Sequence, residues 1–267
     1  MSTQINIAFC ANERYSPGLE TSISGVIASI DSARNCKIWI IDAGLHEATR
    51  SRLLARAAKV SNTEIAFIEP PLERFSEVKT SNYHISSYLR LALPELVQES
   101  ELIYFDSDTL VFGDISGTYD THRSQSSAVS ASADWETHRL AQESEVLAEA
   151  CGLMKSQGYF NAGVVLLNLD LLRETDFTTR ACEFLSNLGE HARFADQSAL
   201  NALLAGQWTE ISPFWNTPAW AFDDQKDNHL PGILHFTNSA PWLSRRYCPS
   251  QALFERIANE RGIPLLK

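Results

Sequence analysis

Residues Leu102-Ile103-Tyr104-Phe105-Asp106-Ser107-Asp108-Thr109-Leu110-Val111 combine an apolar run with two carboxylates one residue apart. The run reads as a buried strand, and side chains alternate faces along a strand, so Asp106 and Asp108 point the same way. Two converging carboxylates repel each other unless a cation sits between them. Hard divalent cations such as Mg²⁺ and Mn²⁺ take oxygen ligands and share their shell with substrate phosphates. The pair therefore points to metal-assisted chemistry on a phosphorylated substrate. The bland alternative is a strand end whose acids cap the following turn.

Three strand-helix units must hold that pair in place. Ile5 to Cys10 is a short apolar strand. Ser16-Pro17 has the form of a helix N-cap with proline in the first turn, and Leu19, Ile23, Val26, Ile27 and Ile30 follow at helical spacing. A second strand runs from Cys36 to Ile41, then a basic amphipathic stretch from His46 to Lys59, then a third strand from Glu64 to Ile68. This order predicts an α/β protein with a largely parallel sheet, in which ligands bind beyond the carboxyl ends of the strands. No Gly-x-Gly-x-x-Gly or phosphate-loop motif follows the first strand, which removes the ordinary dinucleotide and P-loop readings. Beyond Phe112, strands at Ala128 to Ala133, Ala162 to Leu169 and Ile233 to Phe236 mix with helices at Ser144 to Met154, Thr178 to Leu188, Asp196 to Ala205 and Pro249 to about Arg261. The segment from Ser212 to Gly232, with Trp215, Trp220 and Phe222, is too aromatic for a solvated linker and reads as a binding wall or loop. No repeat or linker divides the chain. One domain over 1–267 is expected, with a nucleotide-binding part up to about residue 110 and a second part of different pattern after it.

The 267 residues carry a formal charge of -11, which excludes nucleic acid as a partner and disfavours adhesion to anionic lipid. Cys10, Cys36, Cys151, Cys182 and Cys248 are far apart and lack metal-binding spacing, so buried thiols in a reducing compartment are expected. No apolar run approaches membrane-spanning length. The expected setting is cytoplasmic, at most peripheral to a membrane.

Six separated segments then fit one template. They are Phe9-Cys10-Ala11-Asn12-Glu13-Arg14-Tyr15, Ser87-Tyr88-Leu89-Arg90-Leu91, Asp106-Ser107-Asp108, Tyr159-Phe160-Asn161-Ala162-Gly163-Val164, Ala195-Asp196-Gln197, and His235-Phe236-Thr237-Asn238-Ser239-Ala240-Pro241-Trp242. In order and separation they resemble glycosyltransferase family 8, which includes bacterial lipo-oligosaccharide α-galactosyltransferases and to which the glycogenins are related. The resemblance implies a GT-A type domain that binds a UDP-sugar with Mn²⁺ (or Mg²⁺) and transfers the sugar, with retention of configuration, to a saccharide or glycoconjugate.

Carried over, Asp106 and Asp108 would bind the metal together with His235, whose neutral imidazole is an accepted Mn²⁺ ligand. Asn12 would lie against the uracil, with Ala11 and Tyr15 shaping the base pocket. Arg90 would sit in the donor site, and Ser107 and Asn238 would join the substrate-binding set. Asp134 would touch the donor sugar, Asn161 and Asp196 would hold its hydroxyls, and Gln197 would lie beneath the anomeric carbon. Asp134, Asp196 and Gln197 thus form the expected catalytic group. Asn161-Ala162-Gly163 could equally be a turn and Asp196 a helix N-cap.

The sequence departs from the family pattern at several places. Asn12 replaces an aspartate, Arg14 an asparagine, and Asn238 stands near a glycine position. Ala240 precedes Pro241 where relatives carry a diphosphate-binding lysine, and Arg245 or Arg246 is expected to supply that charge. Two rival readings start from the same residues. Phe105-Asp106-Ser107-Asp108-Thr109-Leu110-Val111 also resembles the nucleophile motif of haloacid-dehalogenase-type phosphatases, although Gly113-Asp114 has the wrong spacing for their second acidic motif. The other rival is a UDP-sugar-binding protein with little turnover.

Overall fold

The structure is a computed structural model that describes residues 4–78, 85–123, 125, 127–154, 156–222, 229–237, 240–243 and 250–265. Its strands are β1 (Gln4–Ala11), β2 (Asn35–Asp42), β3 (Thr63–Ile68), β4 (Glu101–Phe105), β5 (Thr109–Val111), β6 (Val129–Ala133), β7 (Phe160–Asn168), β8 (Trp208–Glu210), β9 (Thr217–Pro218) and β10 (Ile233–His235). Its helices are α1 (Ser16–Ser29), α2 (Glu47–Ala57), α3 (Leu93–Leu96), α4 (Ser116–Arg123), α5 (Leu140–Glu143), α6 (Glu145–Ala150), α7 (Leu169–Glu174), α8 (Phe177–Leu188), α9 (Asp196–Leu203) and α10 (Gln251–Glu260).

Seven strands form a mixed sheet in the order β3-β2-β1-β4-β7-β6-β8. Strands β3, β2, β1 and β4 are mutually parallel, β7 runs antiparallel to β4 and β6, and β8 is parallel to β6. The alternation of β1 explains why helices cover both faces. Ile5, Ile7 and Phe9 pack with Leu19 and Ile23 of α1 and Leu53 of α2, while Ala8 and Cys10 face the opposite core with Leu169, Phe177 and Leu200. Strand order reverses direction between β1 and β4, and a ligand crevice is expected beyond the carboxyl ends of those two strands.

The acidic segment differs from its expected form. The strand does not carry through to Asp108. Strand β4 stops at Phe105, Asp106 to Asp108 make a turn, and Thr109 to Val111 continue as β5 in a separate three-stranded sheet ordered β5-β10-β9. Thr109 stabilises the break, its hydroxyl donating to the Asp106 carbonyl at 2.9 Å and pairing with Ser22 of α1 at 2.7 Å. Gly25 of α1 lets β5 approach: a Cβ there would lie 2.4 Å from the Val111 carbonyl oxygen.

The start of α1 also departs from expectation. Tyr15 occupies the cap position and Ser16 is already helical, its hydroxyl donating to Glu13 at 3.3 Å, while Pro17 falls in the first turn as its chemistry demands. Cys10, Cys36, Cys151 and Cys182 are free thiols; Cys248 lies outside the described residues. Among the described residues, no helix is long and apolar enough to cross a membrane.

Candidate active site

The turn between the two sheets brings the acidic pair together with His235. Strand β10 runs antiparallel to β5 with His235 opposite Thr109, and the Phe236 amide donates to the Asp108 carbonyl at 2.9 Å. This register puts His235 Nε2 at 3.3 Å from Asp108 and 3.6 Å from Asp106. The two carboxylates reach the cleft at about a fifth exposed, whereas the imidazole is 5% exposed. Burial opposes protonation of His235, but the adjacent Asp108 and Asp106 outweigh it and raise the imidazole above its ordinary value. One ligand atom from each of the three residues lies within 4.8 Å of the others. Two carboxylate oxygens and one imidazole nitrogen suit a hard or borderline divalent ion such as Mn²⁺ or Mg²⁺ and leave room for substrate oxygens.

Gly163 of β7 makes this convergence possible. Its carbonyl accepts the Asp106 amide at 2.7 Å, and a Cβ on Gly163 would stand 2.0 Å from Cε1 of His235. On the far side of the ring, Nδ1 lies 2.9 Å from Oδ1 of Asn216, which is buried.

Arg90 ties the acidic turn to the other side of the cleft. Its guanidinium donates to Asp106 and to the Ala162 carbonyl, each at 2.6 Å, forms an ion pair with Asp196 at 2.7 Å, and stacks 4.4 Å from the Tyr104 ring centre. The Tyr104 hydroxyl donates to Asp106 at 2.8 Å. Burial pushes Asp196 up to about 7, Arg90 opposes that shift, and the like charge of Asp106 adds to it. Arg90 itself is held well above its ordinary value: burial opposes the charge, but Asp106 and Asp196 overcome it.

Asp196 and Gln197 are delivered by a backbone outlier. Ala195 has φ +52°, ψ -113°, a conformation that costs a residue with a Cβ about 1–3 kcal/mol and recurs at functional sites. Asp196 is therefore the first residue of α9 and not its cap, and its side chain is free for Arg90. Gln197 is pinned by the Ala162 amide, which donates to Oε1 at 2.9 Å, and its Nε2 lies 3.5 Å from the Tyr159 hydroxyl. Tyr159 donates onward to Glu143 at 2.7 Å. Asp134 accepts from the Glu136 and Thr137 amides at 3.0 and 2.7 Å and from the Asn161 side chain at 3.0 Å. Asn161 is in β7 and is not part of a turn.

These groups surround a cleft of about 540 Å³ at the strand ends. Asn12, Tyr15, Arg90, Asp106, Ser107, Asp108, Asp134, Asn161, Asp196, Gln197 and His235 all line it. Ala11 does not. Its side chain is buried in the core with Phe9, because the strand alternation turns Cys10 and Asn12 toward the cleft instead. Trp215 also falls outside, packed against Gly113 and Gly232, whereas Trp220 lines the rim and meets Trp135 edge-on at 6.3 Å. Asn238, Arg245 and Arg246 are outside the described residues. Tyr104, Trp135 and Asn216 were missed by sequence reasoning. Tyr104 in β4, two residues before Asp106, carried a usable signal in its spacing, whereas Asn216 carried none. Asp114 caps the following turn, accepting from the Ser116 amide at 2.9 Å, so it supplies no second acidic group to the cleft.

A family model described as glycosyl transferase family 8 matches residues 6–246. General stress protein A of Bacillus subtilis is 26% identical over 92% of this chain and 90% of its own length. Lipopolysaccharide 1,3-galactosyltransferase of Salmonella typhimurium is 22% identical over 90% of this chain and 74% of its own length. The chain spans 57% of the length of the Streptococcus pneumoniae glycosyltransferases GlyB and GlyF, which it also matches. Among solved structures, galactosyltransferase LgtC in complex with donor and acceptor sugar analogs aligns with a TM-score of 0.76 at 24% identity, covering 96% of each chain. That likeness shows a shared fold.

Proposed function

Since the chain belongs to glycosyltransferase family 8, we propose that it transfers a hexose from a UDP-sugar to a hydroxyl of a saccharide or glycoconjugate, with a divalent cation and retention of configuration. The observation that carries this reading is the convergence of Asp106, Asp108 and His235 at the mouth of the strand-end cleft. The names of two relatives, a lipopolysaccharide 1,3-galactosyltransferase and a lipopolysaccharide 1,2-glucosyltransferase, support UDP-galactose or UDP-glucose as the donor.

Asp106, Asp108 and His235 would hold Mn²⁺ or Mg²⁺, which when bound offsets charge on the diphosphate as UDP departs. Asn12 and Tyr15 line the end of the cleft proposed for the base. Asp134, Asn161 and Asp196 offer carboxylate and amide groups that can bind adjacent sugar hydroxyls. Gln197 is held at both ends of its amide, which makes it an orienting floor and a poor nucleophile. That favours attack from the side of the leaving group. The bond from the anomeric carbon to the diphosphate oxygen breaks, the acceptor oxygen bonds on the same face, and the departing phosphate oxygen takes the acceptor's proton. Arg245 or Arg246 would replace the lysine absent before Pro241.

The test is UDP release from a panel of UDP-sugars with Mn²⁺, with Asp108→Ala as control. Metal-dependent release from UDP-galactose or UDP-glucose, lost in the variant, is the expected result. No release from any donor refutes the transferase reading. Stabilisation by UDP and Mn²⁺ without release would instead mark a binding protein.

A further inference from the structure

An unbroken chain of side-chain hydrogen bonds leads from Asp134 to His235, and its polarity can be read from one end. An ionised carboxylate only accepts, so Asn161 must present its NH₂ to Asp134 Oδ2 at 3.0 Å. The Gly163 amide independently imposes the same orientation by donating to Asn161 Oδ1 at 2.9 Å. That oxygen also faces Asn216 at 2.9 Å, so Asn216 must turn its own NH₂ toward Asn161. Asn216 Oδ1 is then left facing His235 Nδ1 at 2.9 Å, where it can only accept. The proton of a neutral His235 therefore belongs on Nδ1, and the Nε2 lone pair is directed at Asp106 and Asp108.

We infer that Asn216 is a positioning residue that commits His235 to the Nδ1–H tautomer, so that Nε2 is presented as a metal ligand before any ion arrives. The inference rests on the metal reading of the acidic turn. Left to its own contacts, a neutral imidazole at this position would place its proton on Nε2 and donate to Asp108, 3.3 Å away, which would close the site to a cation. Asn216 is suited to prevent this because it is buried and cannot exchange its partners for water. Asn161 and Asp134 thereby orient Asn216 in addition to facing the cleft.

Two measurements on the 267-residue chain test this. The ¹⁵N chemical shifts of the His235 ring, recorded metal-free at alkaline pH where the ring is neutral, should report the Nδ1–H tautomer; an Nε2–H tautomer overturns the inference. Mn²⁺ affinity, read from the electron paramagnetic resonance of free ion, should fall about 10- to 100-fold in Asn216→Leu. Asn216→Asp keeps an acceptor for Nδ1 but loses the bond to Asn161, and its affinity should stay within a few-fold of the wild type. A role limited to bridging to Asn161 would damage both variants alike, and a role limited to filling space would leave Asn216→Leu near the wild type; either outcome also overturns the inference. Wild-type protein that binds no Mn²⁺ would refute the metal reading, while the ring shifts still decide the tautomer.

Discussion

Replacing Asp196 by asparagine should make the metal-free protein more stable while removing its activity. Burial raises the Asp196 carboxyl from 3.8 to about 7, even with Arg90 alongside. A carboxyl whose folded pKa lies above its unfolded value binds its proton more tightly in the folded state. The native state is therefore favoured at low pH and loses stability as pH climbs from about 4 to about 7. Above that window the whole penalty applies, and a rise from 3.8 to about 7 corresponds to about 4 kcal/mol. Asparagine keeps the shape and never ionises, and Arg90 retains its bond to Asp106 at 2.6 Å. Urea unfolding with a chelator, across a pH series, should show the two proteins nearly equal near about pH 4. The variant should be more stable by about 4 kcal/mol near about pH 8. UDP release should fall at the same time, as expected when a group that meets the sugar is blunted. A variant less stable than wild type at alkaline pH, or a gap that does not widen with pH, refutes the electrostatic account of this pocket.

Three further outcomes are expected. Gly163→Ala should displace the buried His235 ring, because its Cβ would fall 2.0 Å from Cε1; a stability loss of about 1–3 kcal/mol and failure to bind Mn²⁺ in calorimetry are the signs. Arg90→Met leaves Asp196 without its cation, which should cost about 3–5 kcal/mol in denaturant unfolding, and adding Asp196→Asn should recover much of that loss. The Arg245→Ala, Arg246→Ala double variant should lower UDP release by about 100-fold, equivalent to a few kcal/mol of lost charge stabilisation; full activity would show that neither arginine replaces the lysine.

Much of this arrangement was legible in the chain because it follows from local rules. The apolar alternation around Ile5, Ile38 and Ile65 marks three neighbouring parallel strands, and the carboxylates after Phe105 mark a strand end. What could not be read depends on where distant segments meet. Strand alternation carried through Asp108 predicts that the two carboxylates share one face of a strand, yet β4 ends at Phe105 and the chain changes sheet. Asp106 and Asp108 converge through a turn and the β10 register, and not through strand periodicity. Ala11 is the converse case: a position inside a matching motif still obeys the two-residue alternation of its strand, and its side chain points into the core. Asn216 is an ordinary polar residue in an irregular stretch, and only its place between His235 and Asn161 gives it meaning.

The turn at Asp106 to Asp108 has a consequence for how the protein comes into being. Its two carboxylates leave the large sheet, whereas His235 arrives on a strand of the small one. The ladders within either sheet can exist without the other, but the ligand cage exists only where the two are locked together. A ligand held there therefore acts as a clasp, and its binding free energy is added to the docking of the sheets. A chain that stops short of Ile233–His235 could complete β1 to β4 and still have no cage to offer. Competence to react thus doubles as a certificate that synthesis has passed Ile233–His235 and that both layers have closed.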